Sequence, residues 1–175
     1  MLTTLRIREV FVLLNEERAR RHVRGEAYLA GGAVRCLMFQ ARPATKDIDA
    51  MLVPSAEMRA AAQTVAVREG LHDYWLNDAV KGFFSERGTF EVFEELINPR
   101  IYVPHPGYLL AMKCLALRFG EEFQDLGDVA ILVRELGVRT VAEAEAILEQ
   151  YYDLARYPAK TRYVLEELLG ASDAG

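Results

Sequence analysis

The spacing of apolar positions changes period several times along the chain. Over Thr3–His22, Leu5, Val10, Leu13 and Leu14 recur at roughly helical spacing while Glu16–Arg21 supply a charged face, which predicts a helix broken at Gly25. Tyr28-Leu29-Ala30 is then a short apolar run, read as a strand and stopped by Gly31-Gly32, and Ala33–Phe39 reads as a short helix. Lys46–Val53 reads as a second strand ended by Pro54-Ser55. Ser55 is the expected N-cap of a helix over Ala56–Glu69, which Gly70 terminates.

The middle of the chain is patterned more weakly. Tyr74–Phe84 contains WLNDAVKGFF, and Thr89–Phe93 and Arg100–Val103 read as further short strands. From Pro106 onward the period is helical throughout, over Gly107–Phe119, Asp125–Leu136, Val141–Tyr152 and Ala159–Leu169. Thr140 followed by Glu143 is a capping box for the third of these. The expected organisation is a mixed helix-and-strand half over residues 1–105 and a helical portion over 106–175, with a frayed tail at Ala171–Gly175.

Composition narrows the classes. With 175 residues, 51% of them hydrophobic, the chain is long enough to bury a core without staples. Net charge is −5 and the 21 basic residues are scattered, which argues against a broad nucleic-acid surface while leaving room for a local basic pocket. Cys36 and Cys114 lie in apolar segments and read as buried thiols; His22, His72 and His105 pair with no Cys or His at metal-ligand spacing. Nothing reads as a signal peptide, and uncharged stretches fall short of a membrane span, so a cytoplasmic protein with no membrane partner is expected. Trp75 reads as core packing, as do Tyr151, Tyr152 and Tyr163 against the C-terminal helices.

The unusual feature is Asp47-Ile48-Asp49. In a strand, residues two apart share a face, so Asp47, Asp49, Met51 and Val53 are expected on one side and Ile48, Ala50 and Leu52 on the other. Adjacent carboxylates repel unless a cation lies between them. Mg²⁺ is the natural candidate, because it takes hard oxygen ligands and commonly uses one or two carboxylates together with substrate phosphates. Gly31-Gly32, between a strand and a helix, leaves backbone N–H groups free of side chains where a phosphate can approach. Together these point to a nucleoside triphosphate held by its phosphates and presented to a metal.

The order hydrophobic strand, Gly31-Gly32, spacer, Asp47-x-Asp49 resembles the signature of the nucleotidyltransferase superfamily, whose fold is that of the DNA polymerase beta catalytic domain. GGAVR, ending in Arg35, resembles the CCA-adding enzymes, with Cys36 where their motif has Asp. Arg42 and Thr45 ahead of the aspartates, and LLAMKCLALR followed by Asp125 and Asp128, are more similar to the AbiEii-like small bacterial nucleotidyltransferases, some of them toxins of toxin–antitoxin pairs.

The resemblance implies an α+β fold: a nucleotidyltransferase-like mixed β-sheet flanked by helices, with a C-terminal helical portion. It implies transfer of NMP from an NTP to an acceptor hydroxyl, RNA such as tRNA being one acceptor class and an antitoxin protein one partner. Asp47 and Asp49 would hold Mg²⁺, and Gly31, Gly32, Arg35, Thr45, Lys113, Arg118, Asp125 and Asp128 would serve the nucleotide. Asp125 and Asp128 would either brace Lys113 or Arg118 or stabilise a helix N-terminus. A third catalytic carboxylate is called for, with Glu91 and Asp78 as candidates. The alternative is a catalytically degenerate member that binds a nucleotide or a partner.

Overall fold

The structure, a computed structural model, describes residues 1–39, 43–117 and 125–170. The chain divides into two compact units: Met1–Gly82 with Phe90–Pro104, and Phe83–Thr89 with the chain from His105 onward. The architecture is α+β, with seven α-helices and a five-stranded mixed sheet among the described residues.

In the first unit, β1 (Leu2–Thr3) leads into α1 (Thr4–Arg20), whose first turn is capped by the Thr3 hydroxyl accepting from the Arg6 N–H. Then follow β2 (Gly25–Ala30), a single helical turn α2 (Gly31–Val34) that widens into a π-helical turn over Arg35–Phe39, β3 (Ala44–Thr45), β4 (Ile48–Val53) and α3 (Ser55–Glu69). Short β5 (Leu76–Asn77), β6 (Phe90–Glu95) and β7 (Pro99–Pro104) complete it. β1 and β3 form a separate two-stranded ladder. The main sheet runs β5-β4-β2-β7-β6: β2 is antiparallel to β4 and parallel to β7, β5 is parallel to β4, and β6 is antiparallel to β7 with a bulge between Val92 and Glu94.

The alternation of side chains sorts the sheet into two faces. Ala27, Leu29, Ile48, Ala50, Leu52, Ile101 and Val103 are buried, and they meet Ile7, Val10, Phe11 and Leu14 of α1 and Met58, Ala61, Ala62 and Val65 of α3. Gly25 shows which way this face points: a Cβ there would lie 2.5 Å from the Met58 sulfur and 3.1 Å from Arg18 Nη2. Trp75 is fully buried, and its indole N–H donates to the Ala62 carbonyl at 2.8 Å, so its packing role holds. The other face carries Glu26, Tyr28, Asp49, Met51 and Tyr102, all half-exposed.

In the second unit, α4 (Pro106–Leu115) packs on α5 (Asp125–Glu135) and α6 (Val141–Tyr151), and α6 packs on α7 (Ala159–Gly170). The capping box of Thr140 and Glu143 forms as the sequence implies. Phe83–Thr89 falls in this unit and not with the sheet-bearing half, because tyrosines clasp it. The Ser85 N–H donates to the Tyr108 hydroxyl at 2.7 Å, and the Ser85 hydroxyl donates to the Tyr151 carbonyl. The Tyr152 hydroxyl donates to the Phe83 carbonyl. Gly88 lies where a Cβ would come within 2.6 Å of the Tyr108 ring.

Three expectations change. Ser55 is the first residue of α3 and not its side-chain cap, since its hydroxyl donates to Asp78 Oδ2 at 2.8 Å. β4 starts at Ile48, so Asp47 precedes the strand instead of belonging to it. Tyr163 is 71% exposed; α7 turns Thr161, Val164, Leu165 and Leu169 inward and this ring outward. The expected frayed tail lies outside the described residues.

Candidate functional site

The end of β2 and the start of β4 make the corner where the site forms. Antiparallel pairing sets Ala30 directly opposite Asp49, and Gly31 follows with φ of +64°, a left-handed conformation that glycine adopts without steric cost. A Cβ on Gly31 would stand 2.6 Å from Asp49 Oδ2. The glycine is thus required twice, by its own backbone and by the carboxylate beside it. Gly31, Gly32, Asp47 and Asp49 are all half-exposed, and the chain turns away from the sheet there into α2.

Asp47 is held from behind. The Thr45 hydroxyl, 3% exposed, donates to the Asp47 carbonyl at 3.1 Å, while Thr45 itself pairs with Leu2 in the small ladder. The Ile48 N–H donates to the Trp75 carbonyl. The aspartate pair is therefore set by a turn anchored on both sides, and Thr45 acts on Asp47 through its backbone. Arg35, 5% exposed, sits at the head of the π-helical turn.

The two candidates for a third carboxylate sit elsewhere. Asp78 accepts from Ser55, and Arg59 and Lys81 lie 3.4 and 4.0 Å away. The Ser55 hydrogen bond, chiefly, with the charges of Arg59 and Lys81 added, holds its carboxyl below the usual aspartate range. This carboxylate is occupied in tying β5 to the start of α3. Glu91 pairs across from Val103, whereas Val92 pairs with Tyr102; register parity therefore sends Glu91 to the side of the sheet opposite Asp49, exposed on the edge strand. Among the described residues no group of three His, Cys, Asp or Glu is placed to hold a metal ion. Asp47 and Asp49 offer the hard oxygen donors that suit Mg²⁺, a metal that commonly completes its shell with water and phosphate oxygens.

The remaining predicted residues belong to the helical unit or fall outside what is described. Lys113 Nζ meets Asp128 Oδ2 at 3.0 Å, with side chains 13% and 3% exposed, so Asp128 braces Lys113 across α4 and α5. Asp125 opens α5, and its side chain, like the whole of Arg42 and Arg118, lies outside the described residues.

The sequence reading missed a second group on the half-exposed face. Tyr28 and Tyr102 stack with ring centroids 4.5 Å apart and planes 5° from parallel, and Phe90 meets Tyr28 edgewise at 5.0 Å. The Tyr28 hydroxyl donates to Glu26 Oε2 at 2.8 Å and the Tyr102 hydroxyl to Glu26 Oε1 at 3.3 Å. The signal was present in the alternation of Gly25–Ala30, GEAYLA, which an expected strand of only three residues truncated. Comparison of the chain with protein families, with curated proteins and with solved structures returns no match.

Proposed function

We propose that the chain is a Mg²⁺-dependent nucleotidyltransferase that transfers NMP from an NTP to an acceptor hydroxyl. The observation that carries this reading is the corner where Gly31, at φ +64°, makes room for Asp49 Oδ2. β2 gives way to Gly31 beside Asp49, the second residue of β4, and a second carboxylate, Asp47, stands just ahead of that strand. A side-chain-free turn against an acidic group buries little apolar surface and leaves backbone N–H groups open, which makes it useful as a place for metal-bound phosphates. Asp47 and Asp49 hold the ion in this reading, and its role is to stabilise charge on the phosphates. In the transfer an acceptor O–P bond forms at the α-phosphorus, the bond to the β-phosphate oxygen breaks, pyrophosphate leaves with the electron pair, and the hydroxyl proton passes to solvent.

One observation favours a second reading, a nucleotide-binding protein without transfer activity: among the described residues no third carboxylate joins Asp47 and Asp49. Calorimetric titration of ATP, CTP, GTP and UTP, with and without Mg²⁺, into wild type and Asp47→Ala/Asp49→Ala tests the shared premise. Metal-dependent binding that vanishes in the double variant is expected, and absence of binding to wild type overturns both readings. Incubation with NTP labelled at the α-phosphate, alongside cellular RNA and small-molecule fractions, then separates them. Label transferred to an acceptor supports the enzyme; binding without transfer supports the second reading.

A further inference from the structure

The register lays out the half-exposed sheet face as rows. Asn77, Asp49 and Ala30 form the row at the glycine corner. Met51, Tyr28, Tyr102 and Val92 form the next, and Val53, Glu26, Arg100 and Glu95 the third. The Asp49 row and the Glu26 row are four residues apart along β2, or about 13 Å at strand rise. Between the two carboxylates the floor is aromatic and aliphatic.

Glu26 is the unexplained group on this surface. Each of its carboxylate oxygens accepts one tyrosine hydroxyl, which leaves each with further acceptor capacity. Among the described residues it makes no ion pair. Arg100, its neighbour in the row, is engaged by Glu95 at 2.8 Å and reaches only the Tyr102 hydroxyl at 3.4 Å. Within their row, Glu26 and Glu95 face one guanidinium, that of Arg100. A fixed carboxylate without a cation, set on apolar ring surface, suits a ligand that ends in an ammonium group.

Resting on the nucleotidyltransferase reading, we infer that the face running from Asp49 to Glu26 is the acceptor subsite, and that it takes a hydroxyl-bearing amine. The hydroxyl lies at the Asp49 end and the ammonium at Glu26. An NTP base, which carries no formal charge, leaves Glu26 unmatched, so the nucleotide is the poorer occupant.

The probe is tyramine, which joins an ammonium, a ring and a hydroxyl, against 4-(2-hydroxyethyl)phenol, the same length with a neutral hydroxyl in place of the ammonium. Binding to the full chain is followed by amide chemical shifts at neutral pH. Tyramine is expected to bind at least tenfold more tightly, shifting resonances of β2 and β7, and Glu26→Gln is expected to erase the difference. Glu91→Gln, which removes a carboxylate exposed on the opposite side of the sheet, is the control and is expected to keep the full preference. Equal affinity for the two probes, no binding of either, or an unchanged preference in a folded Glu26→Gln variant overturns the inference. Wild type is titrated with Mg²⁺ and ATP in parallel. Nucleotide binding without amine preference refutes only the acceptor subsite, whereas amine preference without nucleotide binding refutes the transferase reading and leaves an amine site.

Discussion

The two faces of the main sheet are built from the same strands and have little else in common. One is Ala27, Leu29, Ala50, Leu52, Ile101 and Val103, packed under α1 and α3 with scarcely any exposure. The other is Glu26, Tyr28, Asp49, Met51 and Tyr102, half-exposed and rich in polar and aromatic groups. A period of two lets a strand spend alternate residues on stability and on chemistry, so changes on one face should leave the other largely untouched.

The largest effect is expected on the buried face. Ile101→Ala removes a fully buried side chain and should cost about 2–5 kcal/mol in urea unfolding. Metal-dependent nucleotide affinity, measured where the variant is still folded, should change less than twofold; a larger loss would show that the faces are coupled.

Gly31→Ala tests the corner from the other direction. The left-handed backbone should cost about 1–2 kcal/mol, while the methyl group set against Asp49 Oδ2 should weaken metal-dependent nucleotide binding more than tenfold. Calorimetry beside thermal melting checks both, and unchanged affinity would remove the corner from the site.

The smallest effect is electrostatic. Burial, followed by the hydrogen bond to Glu26, pushes the Tyr28 hydroxyl up from 10 to about 12. Because the folded value is raised, this contribution is fully present below pH 10 and is lost as pH rises toward 12. The melting temperature of wild type should therefore fall more steeply between pH 10 and 12 than that of Tyr28→Phe, measured in parallel. Parallel slopes would mean that the half-exposed face contributes nothing to stability through this group.

Much of this was legible in the sequence, and the omissions have physical causes. The long helices announced themselves because a strong period, a capping threonine at Thr140 and a left-handed Gly70 agree with one another. Gly31 and Asp49 were found as a motif, and the structure adds that they touch. The short strands were misjudged where tertiary pairing decides: Leu76–Asn77 is a strand because Ile48 and Asp49 run alongside it, and nothing in two residues can signal that. The start of β4 was misplaced because a Thr45–Asp47 turn breaks an alternation that continues unbroken in the letters. Asp78 looked free for chemistry, since no local pattern reveals that Ser55, 23 residues earlier, will claim it. The Glu26 cluster joins β2 to β7 across more than seventy residues, a proximity that only the parallel pairing creates.

The bulge in β6 has a consequence for how copies of this chain treat one another. β6 is the outermost strand of the sheet, and it bears Glu91, Glu94 and Glu95 along six residues, with the ladder broken between Val92 and Glu94. An outer strand that is interrupted and negatively charged offers a poor template for a second copy of itself, because the backbone groups fall out of step and like charges are forced together. At high concentration this edge should resist growth into extended sheets.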